Sequence, residues 1–318
     1  MIVFSFFCIV VFIEIFRFLF VKREAEKRFE RYEVMAKVAD TSYGKVSYID
    51  EGQGEEFLIC HGICGGYDQA YDTLAKGENS YRILAPSRFG YLGSDIPEDA
   101  TIEMQVETFR ELLDQLGIEK TYVLGTSAGG TTAIRFALMY PKRTKGLILY
   151  CSGYPTLKEP EKRITYAGPP KVMCNDFLMW LVSPLFKPLM GMEPETLKAI
   201  LPMKPRKEGI VFDARVSNTV MVNDCAEYDM SKLEVPVLVI HAMDDKMAAF
   251  KNVEPWIVRI KNCTFIKLDS GGHLMEGNSK KIDAAVKSFV AKWKYVIKQI
   301  CVNIVVANSV KIAIDFWN

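Results

Sequence analysis

Three histidines, His61, His241 and His273, are all that 318 residues supply for imidazole chemistry. Ser127 lies in Gly125-Thr126-Ser127-Ala128-Gly129, between an apolar run and a helical pattern. A sharp strand-to-helix turn at such a sequence exposes the serine oxygen, and its glycines let neighbouring backbone approach closely. A plain glycine-rich turn with a capping serine would use the same residues, but the flanking strand and helix favour an exposed nucleophile. A neutral hydroxyl is a weak nucleophile and needs a base within hydrogen-bond reach. His273, in Ser270-Gly271-Gly272-His273, is the best candidate, because His241 closes a buried apolar run and reads as structural. Asp244 and Asp245 end the run VPVLVIHAMDD, where a carboxylate can orient the base. The chain order Ser, Asp, His is the one expected for this kind of sheet. A further segment, His61-Gly62-Ile63-Cys64-Gly65-Gly66, follows the run EFLIC. Amides of such a turn can face a developing oxyanion, with His61 and Gly62 supporting the loop.

The elements that must position these residues are legible as short apolar runs alternating with helical patterns. KVSYID, EFLIC, YRILA, TYVLG, GLILYC, VPVLVIHA and CTFIKLD read as strands. Thr101 to Leu116 reads as an amphipathic helix closed by Gly117, Ala128 to Tyr140 as a helix stopped by Pro141, and Ser279 to Ile300 as a final helix. This rhythm predicts a mostly parallel sheet covered on both faces. Between Tyr154 and Leu233 it stops. The stretch from Thr156 to Ser231 holds eight of the fourteen prolines and seven of the fourteen methionines. It reads as an inserted, mostly helical cap, with methionine adaptable enough to wall an apolar pocket.

Taken together, HGICGG, SRFGYLGSD (Ser87 to Asp95), GTSAGG, the strand-end HAMDD and GGH resemble the α/β-hydrolases of the capped, fold-1 type, over about Tyr43 to Lys298. The resemblance implies an α/β-hydrolase fold, with a mostly parallel central sheet, helices on both faces and an inserted helical cap. It places the family's nucleophile on Ser127, its acid on Asp245, its histidine on His273 and its oxyanion amides on Ile63 and Ala128. Two positions depart from the pattern. Ala242 stands where a glycine is usual, and Ser87 stands where many members have aspartate, which should alter the loop more than the chemistry. Arg88 in that loop is expected to form a structural salt bridge rather than to bind a substrate carboxylate. Related epoxide hydrolases and haloalkane dehalogenases use aspartate at the elbow, so serine excludes those readings. It fits a two-step acyl transfer through an acyl-enzyme. The expectation is a carboxylic-ester hydrolase for an apolar substrate, lipid-derived esters included. Carbon–carbon bond hydrolysis and other acyl transfers share the same residues, and a catalytically silent, membrane-linked binding protein is the reading from another class.

Composition bounds the rest. Forty basic and thirty-nine acidic residues give a net charge of +1, so no nucleic-acid surface is indicated. Eight scattered cysteines form no CxxC pair, and several lie in apolar runs as small hydrophobes. Neither a metal cluster nor a nucleotide loop is visible, so no cofactor is implied. The first thirteen residues carry no charged side chain, and the apolar character continues to Val21, broken by Glu14 and Arg17. A helix of about 21 residues is about 31 Å long, enough for a hydrocarbon core. Lys22, Arg23, Lys27, Arg28 and Arg31 follow. The expectation is a membrane anchor with the catalytic domain on the cytoplasmic side. The chain thus divides into an N-terminal segment (1–32), the first part of the core (33–155), the cap (156–232), the second part of the core (233–300) and an apolar tail (301–318).

Overall fold

The computed structural model describes residues 2–75, 77 and 81–295. The apolar tail of residues 301–318 lies outside them, as do residues 296–300 of the expected final helix. Helix α1 (Ile2–Glu33) leads into an antiparallel hairpin of β1 (Lys37–Thr41) and β2 (Gly44–Glu51). Then follow β3 (Glu55–Cys60), α2 (Tyr67–Ala75), β4 (Tyr81–Pro86), α3 (Ile102–Gln115), β5 (Thr121–Thr126), α4 (Gly129–Met139) and β6 (Thr144–Tyr150). The eight strands lie in the order β1-β2-β4-β3-β5-β6-β7-β8, where β7 is Val237–Ala242 and β8 Cys263–Leu268. Every pairing from β4 onward is parallel, and only β1–β2 and β2–β4 are antiparallel.

Period-two alternation explains why the strands read as unbroken apolar runs. Phe57, Ile59, Tyr122, Leu124, Ile148, Tyr150, Leu238 and Ile240 face one side, against α2, Phe29 of α1 and the last helix, residues 279–295. Leu58, Cys60, Val123, Leu147, Leu149, Val237 and Val239 face the other, against α3, α4 and α10 (Phe250–Ile257). Thr101 caps α3 by accepting a hydrogen bond from the Met104 amide, and the chain turns at Gly117 with φ +65°.

Between β6 and β7 the chain leaves the sheet and forms short helices: α5 (Asp176–Val182), α6 (Phe186–Met190), α7 (Leu197–Ile200), α8 (Lys207–Phe212) and α9 (Asn218–Asn223). Pro184, Pro194 and Pro205 each sit in the first turn of a 3₁₀ segment between them, where a missing N–H is tolerated. These helices bury Met179, Phe186, Leu197, Ile200, Met203 and Ile210 in a third apolar cluster, together with Cys64, Tyr91 and Ala25.

The expected membrane anchor is corrected here, and the cytoplasmic placement that rested on it falls as well. Among the described residues no helix is long and apolar enough to cross a membrane. Residues 2–33 form one helix, and its charged half belongs to the domain. Ala25 is fully buried against the cap, and Phe29 stacks on Tyr67. Arg28 bonds to Asp68 at 2.8 Å and to Asp72 at 2.9 Å. Farther up the helix, Phe18 meets Phe177 and Trp180 of α5. Basic residues read as a flank of an anchor are thus partly contacts that dock α1 on the fold.

Candidate active site

The elbow after β5 forms because backbone must pass very close to backbone. A Cβ on Gly129 would overlap the carbonyl oxygens of Cys60 and His61, and one on Gly125 would crowd Gly130 and Ala133. Glycine at both positions lets α4 begin directly against the end of β3. Ser127 takes φ +51°, a left-handed conformation that L side chains avoid. Its amide is fixed to Tyr150 O at 3.0 Å, and its carbonyl accepts from Gly130 N at 3.0 Å. The strain is therefore held by β6 and α4, and the hydroxyl points away from the sheet into a cavity.

His273 follows β8 and Asp245 follows β7, and the two meet at that hydroxyl. His273 Nε2 is 2.8 Å from Ser127 Oγ, and His273 Nδ1 is 2.9 Å from Asp245 Oδ2. Asp245 Oδ1 also accepts from the amides of Met247 at 2.8 Å and Ala248 at 2.9 Å. Burial would raise the Asp245 pKa, but the bond and charge of His273 and the two amides hold it below the usual carboxylate range. The carboxylate is thus ionised and pinned. Its neighbour Asp244 points elsewhere and accepts from Gly272 N at 2.9 Å and Gly271 N at 3.3 Å, shaping the turn that delivers His273.

His241 lies close by, with Nε2 3.7 Å from Asp245 Oδ2 and 2.7 Å from Ala248 O. The Nε2–H donates to that carbonyl. Burial lowers the His241 pKa and keeps the ring neutral, and His241 is not among the residues lining the cavity.

The loop after β3 lies against the elbow, where a Cβ on Gly62 would come 3.3 Å from Ser127 Cβ. His61 is fully buried. Its Nε2 accepts the Arg88 amide at 2.9 Å, so the proton is on Nδ1, which donates to Gly62 O at 2.8 Å. Burial, and then the nearby Arg88 charge, hold the His61 pKa well below normal, which keeps the ring neutral. Gly62 N donates to Gln69 Oε1 at 2.8 Å. Ile63 and Ala128 both border the cavity beside Ser127. Among the described residues neither amide N–H makes a hydrogen bond within the fold.

A cavity of about 730 Å³ opens over Ser127 and His273 beneath the cap. Met173, Met179, Met190, Met192, Met221 and Met247 line it, and no Asp, Glu, Lys or Arg does so among the described residues. Arg88 is not in the wall. It pairs with Asp213 of the cap, a longer reach than the expected bridge within its own loop. Sequence reasoning missed Gln69 and Arg206, which bond to the loop that carries Ile63, and Asp213 and Asp68, which pair with the arginines that hold it.

A family model described as alpha/beta hydrolase fold matches residues 56–177. A 2-hydroxy-6-oxo-6-phenylhexa-2,4-dienoate hydrolase of Burkholderia cepacia is 33% identical over 110 residues, which is 33% of this chain and 38% of that enzyme. The chain therefore matches well under half the length of that relative. An uncharacterized hydrolase of Bacillus subtilis is 26% identical over 261 residues, covering 73% of this chain and 89% of its own. The crystal structure of the enol-lactonase from Burkholderia xenovorans superposes with a TM-score of 0.62 at 20% identity, covering 80% of this chain and all of that one. Sheet order, the family match over residues 56–177 and the structural neighbours agree that the chain has the α/β-hydrolase fold.

Proposed function

We propose that the protein is a serine hydrolase that cleaves a neutral, apolar carboxylic ester through an acyl-enzyme. The observation that carries this reading is the hydrogen-bonded series Ser127–His273–Asp245 opening into a cavity with no charged wall residue among those described. Ser127 Oγ attacks the ester carbonyl carbon while His273 Nε2 takes its proton. Asp245 holds the Nδ1–H tautomer and stabilises the imidazolium. The carbonyl oxygen becomes an alkoxide facing the amides of Ile63 and Ala128, each such donor being worth about 10²–10³ in kcat. Collapse breaks the bond to the alkoxy group, which leaves as the alcohol with the proton from His273. Water then repeats the sequence on the acyl-serine and releases the acid. In this reading residues 33–155 and 233–300 form the catalytic core, and residues 156–232 form the cap that selects the acyl group.

Labelling by a fluorophosphonate probe tests the chemistry. The intact chain should react and Ser127→Ala should not. A silent binding protein would leave both unlabelled.

Hydrolysis of a carbon–carbon bond is the second reading, because the Burkholderia cepacia relative is named for such a substrate. A dienoate is an anion, and burying a carboxylate without a partner is costly. The uncharged wall therefore favours the ester. Side-by-side turnover of 2-hydroxy-6-oxo-6-phenylhexa-2,4-dienoate and a butyrate ester decides between them. Faster cleavage of the dienoate would overturn the ester reading.

A further inference from the structure

The loop bearing the Ile63 amide is held at both ends by arginines, and each arginine is paired with an acid across the boundary between core and cap. Arg88, from the core, donates Nε to His61 O at 3.0 Å. Its guanidinium forks onto Asp213 of the cap, with one arm at 2.6 Å, and Tyr91 Oη donates to the same carboxylate at 2.6 Å. Arg206, from the cap, donates Nη1 to Gly65 O at 2.6 Å. It forks onto Asp68 of α2 at 3.1 and 2.9 Å. Arg88 is 1% exposed, and Arg206, Asp213 and Asp68 are fully buried. Backbone bonds close the same seam, from Leu92 N to Pro205 O and from Gly209 N to Gly90 O, each 2.9 Å.

Between the two arginines the loop is strained. Cys64 takes φ +62°, and it directly follows Ile63 and precedes Gly65. A non-glycine residue persists there only when its surroundings over-determine it. Arg206 adds to that constraint, beside Gln69 on Gly62 N and the bond from Gly65 N to Gly62 O, because the planar fork binds a carboxylate and a carbonyl in one fixed plane. Arg206 does not line the cavity, so it acts on the reaction through the loop rather than through substrate contact.

We propose that Arg206 of the cap is a positioning residue for the oxyanion site: by binding Gly65 O and Asp68 together it sets the direction of the Ile63 amide. The proposal rests on reading Ser127 as the nucleophile and the Ile63 amide as an oxyanion donor. It follows that the catalytic arrangement is complete only with the cap seated on the core.

The test uses the full chain, a p-nitrophenyl butyrate assay and two inhibitors. One is an alkyl trifluoromethyl ketone, which adds the serine oxygen to form a tetrahedral alkoxide. The other is the matching secondary alcohol, which forms no adduct. Arg206→Lys keeps a cation opposite Asp68 but replaces the fork with one ammonium. Its kcat should fall about tenfold with KM nearly unchanged, and ketone affinity should fall by the same factor while alcohol affinity holds. Arg206→Met should lose more, toward the roughly 10²–10³ seen when an oxyanion donor is removed. If the methionine variant does not fold, the lysine variant decides on the same readouts. A folded variant with wild-type kcat and ketone affinity would overturn the proposal. So would an equal loss in alcohol affinity and KM. Ser127→Ala separates the two levels: if it retains turnover, the hydrolase reading fails and takes the proposal with it. If it is inactive while the Arg206 variants are unaffected, only the positioning role fails.

Discussion

Asp245→Asn removes a charge without removing volume, and the structure dictates which way the new amide must turn. Oδ1 of Asp245 accepts two backbone amides, from Met247 at 2.8 Å and Ala248 at 2.9 Å. An asparagine keeps both bonds only with its carbonyl oxygen at that position. Its NH₂ group then occupies the Oδ2 position, the one 2.9 Å from His273 Nδ1. Two donors cannot face each other, so Nδ1 must give up its proton and accept. Nε2 then carries the proton and points it at Ser127 Oγ, 2.8 Å away. A base in that tautomer cannot deprotonate the serine, and the imidazolium loses its counter-charge as well. Expected kcat at neutral pH is lower by about 10⁴, or about 5.4 kcal/mol in the barrier. The measurement is kcat for a butyrate ester, with the rate of fluorophosphonate labelling as a check on the serine and a melting curve as a check on the fold. A folded asparagine variant within tenfold of wild-type turnover would refute the reasoning.

The methionine-lined cavity leads to a preference for medium acyl chains over acetyl in kcat/KM. Each buried methylene contributes about 0.8 kcal/mol, roughly fourfold, and a flat response across acetyl, butyryl and hexanoyl esters would count against the cavity as the acyl site. Gly129→Ala places a methyl group on the carbonyls of Cys60 and His61. It should cost several kcal/mol of stability by urea denaturation, since backbone on both sides must move. Acid sensitivity should come in part from Asp68. Burial alone would raise its pKa, but Arg206 and Arg28 bring it down to about 2, below the unfolded value of about 3.9. A depressed carboxyl stabilises the fold above the unfolded value and loses that contribution as pH falls through about 4 toward 2, on the order of 2 kcal/mol for this group. Urea midpoints measured between pH 5 and pH 2 should fall in wild type and fall less steeply in Asp68→Asn.

The strands and the elbow were legible because their signals are local. EFLIC, TYVLG and VPVLVIHA are mostly apolar, since both faces of a parallel sheet are covered, and glycines flank Ser127 where backbone crosses backbone. Asp245 and Asp244 differ by one position; the resemblance points to Asp245, and in the turn after β7 it is Asp245 whose carboxylate lies 2.9 Å from His273 Nδ1. Helices α2 and α10 were not read from the sequence; both are short, and α10 contains Pro255. The partners of the loop that carries Ile63 were invisible for a different reason. Arg206 meets Gly65 across 141 positions and Arg88 meets Asp213 across 125, and a lone buried arginine has the same letter as a solvated one. The N-terminal run misled because the basic residues that follow it carry the same letters whether they flank a bilayer or dock a helix on a domain. Arg28 on Asp68 and Ala25 in the cap interface are tertiary facts.

The reciprocal arginine pairs change how this scaffold can be recombined. A cap inserted between two strands looks like an interchangeable cassette, one that could be replaced from another homologue to give a new substrate range while the serine, acid and histidine stay put. Here the seam is covalently simple but electrically interlocked: the cassette carries one cation and one anion whose complements, Asp68 and Arg88, remain behind in the host. A graft lacking an arginine at 206 and an acid at 213 would leave Arg88 without its acid in a dry interface and Asp68 with Arg28 alone. Chimeras of this chain should therefore be cut so that α2, the Arg88 loop and residues 205–213 travel together.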